Sequence, residues 1–141
     1  MIEPREVADA IAARDASARL LGIDLIAVGA GTAQTRLVVR PDMDNGHGVC
    51  HGGIIFTLAD AAMAYACNSY NETTMATAAA VDFVNPGQVG STLTATATET
   101  VLRGRSGVYD VTVVDDDDTV VAIFRGRVRR VGGQNVPDTE A

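Results

Sequence analysis

The chain has 141 residues, 47% of them hydrophobic and 21% charged, which fits one folded domain (residues 1–141) and not a disordered segment. A net charge of −7 argues against general nucleic-acid binding, and no apolar run reaches transmembrane length. The opening MIEPREVADAIAARD carries acids where a secretory leader needs an apolar stretch, so a soluble, cytoplasmic protein with no nucleic-acid or membrane partner is expected.

Residues 3–20 read as a helix, with Val7, Ile11, Ala18 and Leu21 as a partial apolar stripe and Gly22 as its stop. IDLIAVG (23–29) and TAQTRLVVR (32–40) read as strands joined around Gly29 and Gly31. Pro41 to Gly53 reads as a loop, and residues 53–69 as a second helix. The rest is strand-like. MATAAAVDFV (75–84) ends at the turn signal NPG, and STLTATATETV (91–101) alternates with a period of two. GVYDVTVVDDDDTVVAIFRGRVRRV reads as a hairpin. In its second strand Ala122, Phe124, Gly126 and Val128 share one face, and Arg125, Arg127 and Arg129 the other. The segment after Val131 reads as a disordered tail, residues 132–141. The order is α+β with a mostly antiparallel sheet. The second helix holds Ala59, Ala61, Ala62, Ala64 and Ala66, small enough for a curved sheet to wrap closely around it.

All 11 basic side chains are arginine, and Arg103, Arg105, Arg125, Arg127, Arg129 and Arg130 lie in the last third of the chain. They are either solvated strand faces or a phosphate-binding group for a small ligand. Cys50 and Cys67 lie about 25 Å apart if the 17 steps between them are mostly helical, too far for a disulfide within one chain. His47, Cys50 and His51 match no standard zinc spacing, so no metal is expected. Cys50 reads as a small packed side chain rather than a nucleophile. Asp115 to Asp118 read as a solvated turn rather than a calcium loop.

Asp60 stands alone among the apolar residues of the second helix. An unpartnered buried carboxylate costs several kcal/mol. Three readings stay open: a structural ion pair, a partly wet position, or a functional acid facing a cleft. The loop before it, with HGG at 51–53, favours the third. The first N–H groups of a helix lack internal partners, and glycine lets a carbonyl oxygen approach them. Gly52 and Asp60 are eight residues apart, roughly 12 Å along a helix, too far to act on one carbonyl carbon. Two such helices packed antiparallel in a symmetric dimer would set Gly52 of one against Asp60 of the other. Gly53, Phe56, Met63 and Cys67 share the Asp60 face, and either an acyl pocket or core packing explains them. Asp82 reads as a structural pair.

NGHGVCHGGIIFTLADAAMAYACNS (45–69) resembles the signature of hotdog-fold acyl-CoA thioesterases, and more narrowly those of phenylacetate degradation. LGIDLIAVGAG, VDFVNPG, STLTATA, SGVYDV and VAIFRGRVRRVGG extend the resemblance over nearly the whole chain. It implies a long central helix wrapped by an antiparallel sheet, in a dimer that pairs again into a tetramer. It implies hydrolysis of aryl-acetyl-CoA thioesters without a cofactor, coenzyme A being part of the substrate. By the same resemblance Asp60 is the catalytic carboxylate, as nucleophile or general base. The Gly52 N–H polarises the carbonyl, and Asn45 and His51 position the thioester or water. Arg103, Arg105, Arg125 and Arg127 are candidates for the coenzyme A phosphates. One departure stands out: Ala80 lies where related thioesterases often carry Ser or Thr, two residues before the aspartate here numbered Asp82. A hydroxyl to orient water must then come from elsewhere, Thr77 being a candidate. Two other readings remain. A hotdog hydratase or dehydratase is disfavoured because the only acid of the second helix lies nine residues past His51. A non-catalytic acyl-CoA-binding protein is disfavoured by the cost of keeping Asp60.

Overall fold

The computed structural model describes residues 1–137. Its elements are α1 (Pro4–Arg14), α2 (Ala16–Leu21), β1 (Asp24–Gly29), β2 (Thr32–Val38), α3 (Gly52–Cys67), β3 (Thr74–Phe83), β4 (Thr92–Arg103), β5 (Ser106–Val114) and β6 (Val120–Arg130). A single 3₁₀ turn, Pro41–Met43, interrupts the loop before α3.

The helix expected over 3–20 is two helices. Asp15 leaves the helical region at φ −84 and ψ 89, and its carboxylate accepts the Ala18 N–H to start α2. Aspartate competes with the helix for its own backbone and then caps the next one. Gly22 ends α2 in the left-handed conformation at φ 70, as its position suggested.

Six antiparallel strands form one sheet in the order β1-β2-β4-β5-β6-β3. Register shifts in four of the five strand pairings mark irregularities that curve the sheet. The curved inner face holds α3. Leu58, Ala59, Ala62 and Ala66 of that helix are fully buried with Leu93, Ala95, Ala97, Val113 and Phe124 of the sheet. The buried Thr35 hydroxyl donates to the Leu58 carbonyl at 3.0 Å and ties the helix to β2. Alternation along β6 is as read from the sequence: Ala122, Phe124, Gly126 and Val128 face in, and Arg125, Arg127 and Arg129 face out.

β3 is different. It is an edge strand, paired only to β6, and every residue from Met75 to Ala80 is exposed. The tail also differs from expectation. Asn71 exchanges hydrogen bonds with Val136 through both its amide groups, and Asn135 donates to the Asn68 side chain at 2.9 Å. Residues 132–137 are therefore tied back onto the end of α3; residues 138–141 of the expected tail lie outside the described residues. No helix among the described residues is long and apolar enough to cross a membrane.

Candidate active site

The loop from Asp44 to His51 is folded by its own side chains. Asp44 Oδ1 accepts from Gly46 N and Gly48 N, and Asn45 Oδ1 accepts from His47 N at 2.8 Å. The Asn45 carboxamide oxygen is thus occupied, while its NH₂ group has no acceptor among the described residues. His51 is the N-cap of α3: its Nδ1 accepts the Gly53 N–H at 3.2 Å. That bond leaves Nε2 as the protonated nitrogen of a neutral ring. It also separates the two glycines. Gly53 N–H is consumed by His51, whereas Gly52 N–H has no acceptor among the described residues. Gly52 and Asn45 line one cavity of about 350 Å³ with Val49, Ile55, Phe83 and Asn85. The free Gly52 N–H at the positive end of α3 lines this cavity together with Asn45, a setting suited to a carbonyl oxygen gaining negative charge.

Asp60 lies elsewhere. It lines a second cavity, of about 230 Å³, with Met63, Ala64, Cys67, Thr74, Met75 and Ala76. The two cavities share no residue. Burial raises the Asp60 carboxyl above the ordinary carboxylate range, and the negative charge of Asp15 adds to the shift. Asp60 has no ion pair among the described residues, so the structural-pair reading is set aside. The half-wet acid faces a cleft. Burial also holds the thiols of Cys50, at about 11, and Cys67, at about 12, in the neutral form, so neither is a poised nucleophile.

Of the other expected residues, Met63 joins Asp60, but Phe56 does not line its cavity. The Phe56 ring packs edge-on against Phe124, 5.2 Å between centroids. Gly53 donates its N–H to the His51 cap and so keeps none for a substrate. Thr77 is not the missing hydroxyl. It donates to the Arg127 carbonyl and lines a groove on the outer face of the sheet. Asp82 is exposed and has no ion pair among the described residues, against the structural pairing expected of it.

The arginines divide. Arg103 and Arg127, with Arg129, Thr77 and Ser106, line that outer groove of about 530 Å³. Arg125 does not join them. Its guanidinium is held bidentately by Asp110, at 2.7 and 3.0 Å, and this contact keeps the Asp110 carboxyl below its usual range. Arg105 lies outside the groove's lining. The sheet stands between the groove and Asp60, which is on the α3 side.

The sequence between residues 47 and 122 matches the profile of the family described as Thioesterase superfamily. The chain belongs to the thioesterase superfamily. Acyl-coenzyme A thioesterase PaaI of Escherichia coli (strain K12) is 46% identical over 126 residues, 89% of this chain and 90% of that one. The structure of the E. coli PaaI protein from the phenylacetic acid degradation operon superposes with a TM-score of 0.92 at 44% identity, over 93% of this chain and 95% of that one. A point mutant of the phenylacetic acid degradation protein PaaI from Thermus thermophilus gives 0.80 at 33% identity, over 83% and 100%. The fold is the hotdog fold, and this thioesterase is a thioester hydrolase of the PaaI type.

Two residues of the cavities escaped the sequence reading. Phe83 closes over Gly52, where an added Cβ would meet its ring at 2.9 Å. Thr74 brings the hydroxyl nearest in kind to the one absent at Ala80: it lines the Asp60 cavity and donates to the Glu72 carbonyl at 2.8 Å. Neither carried a signal in the sequence, since only the antiparallel run of β3 against α3 brings them there.

Proposed function

We propose that this thioesterase hydrolyses aryl-acetyl-CoA thioesters in two composite sites per homodimer. Asp60 of one subunit would act on a carbonyl held by the Gly52 N–H and the Asn45 amide of the other. The observation that carries this reading is the placement of the two half-sites along one exposed edge. The Gly52 cavity meets β3 at Phe83, and the Asp60 cavity meets it at Thr74 to Ala76. A two-fold axis through the middle of this edge strand, between Ala78 and Ala79, would set Phe83 of one copy across from Thr74 of the other. Each Gly52 cavity would then open onto a partner's Asp60 cavity. Pairing would also cover an apolar strand edge of the kind that otherwise invites aggregation. A tetramer would be two such dimers, each with its sites complete.

The chemistry is short. The Asp60 carboxylate either adds to the carbonyl carbon, giving an anhydride that water opens, or removes a proton from the water that adds. In both routes the C–S bond breaks, the coenzyme A sulfur leaves and takes a proton, and the acyl group departs as the acid. Each oxyanion donor contributes about 3–4 kcal/mol if it behaves as such donors do elsewhere. A thioester is electrophilic enough for a carboxylate to serve without a catalytic triad, and no cofactor is invoked. A cavity of about 230 Å³ suits a single ring, since about 150 Å³ of apolar space holds benzene. Arg103, Arg127 and Arg129 are assigned to coenzyme A phosphates, which in so extended a ligand lie far from the thioester.

The test is Asp60→Asn assayed on phenylacetyl-CoA with a thiol reagent. Turnover should fall about 10²–10⁴-fold, the contribution usual for a positioned acid or base, with the fold intact. Normal thiol release by that variant would remove Asp60 from the mechanism.

A further inference from the structure

Gly126 lies in the middle of β6, on the inner face, and is buried. Its backbone does not require glycine, because it is not among the residues with positive φ. What requires glycine is the space above it. A Cβ at this position would lie 2.1 Å from Met63 Sδ and 2.7 Å from Met63 Cε. The next nearest atom is Phe124 Cε1 at 3.0 Å, a contact eased by a small shift. The thioether of Met63 therefore rests in the notch that the missing side chain leaves. Met63 is itself a wall of the Asp60 cavity and is 1% exposed.

We propose that Gly126 is a positioning residue that sets the depth of the acyl pocket, by giving Met63 a berth in the sheet and keeping it out of the Asp60 cavity. The inference rests on reading that cavity as the acyl end of the site. A methyl group at 126 evicts the end of Met63. Methionine is unbranched and adaptable, so it moves rather than unfolding its surroundings. The open space that Met63 borders is the cavity of about 230 Å³ beside Asp60. There it takes room that a ring would need and leaves room for an acetyl group. Glycine in a strand interior marks such a close approach, here of a side chain rather than a ligand.

The experiment measures thiol release from acetyl-CoA and phenylacetyl-CoA by the wild type, Gly126→Ala, and Gly126→Ala combined with Met63→Ala. In Gly126→Ala, kcat/KM for phenylacetyl-CoA should fall about 10-fold or more relative to acetyl-CoA, chiefly through KM, as when an apolar pocket changes by one methylene. The double variant should recover the wild-type ratio or exceed it, because the displaced side chain is gone. A merely structural role for Gly126 would lower both substrates together. An unchanged ratio in Gly126→Ala overturns the inference, as does a double variant that stays selective for acetyl-CoA. If Gly126→Ala does not fold, the double variant decides alone: recovered phenylacetyl-CoA turnover supports the berth, and failure to fold overturns it. Asp60→Asn separates the two layers. If it keeps normal turnover, the site reading has failed; if it loses turnover while the Gly126→Ala ratio is unchanged, only the berth has.

Discussion

Asp60 shows how much one residue discloses and at what cost. It was legible in the sequence because an acid in an apolar helix demands either a partner or a use. Burial and Asp15 together hold its carboxyl above the usual range, so the folded protein binds this proton more tightly than the unfolded chain does. The stability tied to that proton is fully present below the unfolded value, about pH 4 for aspartate, and is lost as pH rises through the higher folded value. Asp60→Asn should therefore raise the melting temperature at pH 7 and give no gain well below pH 4, a difference that calorimetry at the two pH values measures. An unchanged melting temperature at pH 7 would mean the charge costs nothing. Asp15 offers a second handle. Asparagine caps a helix as well as aspartate does, so Asp15→Asn keeps the start of α2 and removes only the charge. On the proposed mechanism the acid limb of the kcat/KM profile follows ionisation of Asp60 and should move to lower pH in that variant; a limb that stays in place would show that Asp15 is not felt at the site. Gly126 had no comparable signal. Nothing in the sequence pairs position 126 with position 63, so the reason for that glycine became visible only with helix and sheet packed.

Among elements, β3 borders both cavities and was the least readable. β4 and β6 declared their faces through alternation, as in the threonine–alanine pattern of β4. The alanine run of β3 has no polar face to alternate with, and its place beside β6, rather than next to β4 in sequence, is a matter of topology. The division of α1 from α2 was likewise hidden, because Asp15 serves a helix interior and a cap with the same side chain. The exposure of β3 leads to a direct expectation. Ala79 is exposed in the protomer, so Ala79→Arg should change the stability of an isolated subunit by no more than about 0.5 kcal/mol. At the centre of the proposed pairing, where position 79 of one copy faces position 78 of the other, it forces an unpaired guanidinium into an apolar seam. Sedimentation should show the variant as a monomer, and thiol release should be lost with the dimer. A monomer that kept full activity would place the whole site in one subunit.

At the scale of the whole molecule, the family, the curved antiparallel sheet and the central helix were all foreshadowed by NGHGVCHGGIIFTLADAAMAYACNS and the strands after it. The arginines were not sorted by it: periodicity put them on one face, but only the structure gives Arg125 to Asp110 and gathers Arg103, Arg127 and Arg129. In the proposed dimer each site takes its acid from one subunit and its oxyanion donors from the other. Gly52→Pro isolates the donor, since proline is accepted at the first position of a helix and lacks only the N–H in question. Its added ring meets the far end of Phe83, a side chain at the proposed seam, so sedimentation must show that Gly52→Pro still forms dimers. Asp60→Asn and Gly52→Pro should each be nearly inactive alone. Mixed in equal amounts and re-associated at random, half the dimers are hybrids with one intact site of two, so about a quarter of wild-type thiol release should return. No recovery from a mixture in which hybrid dimers are detected by mass would contradict the shared site.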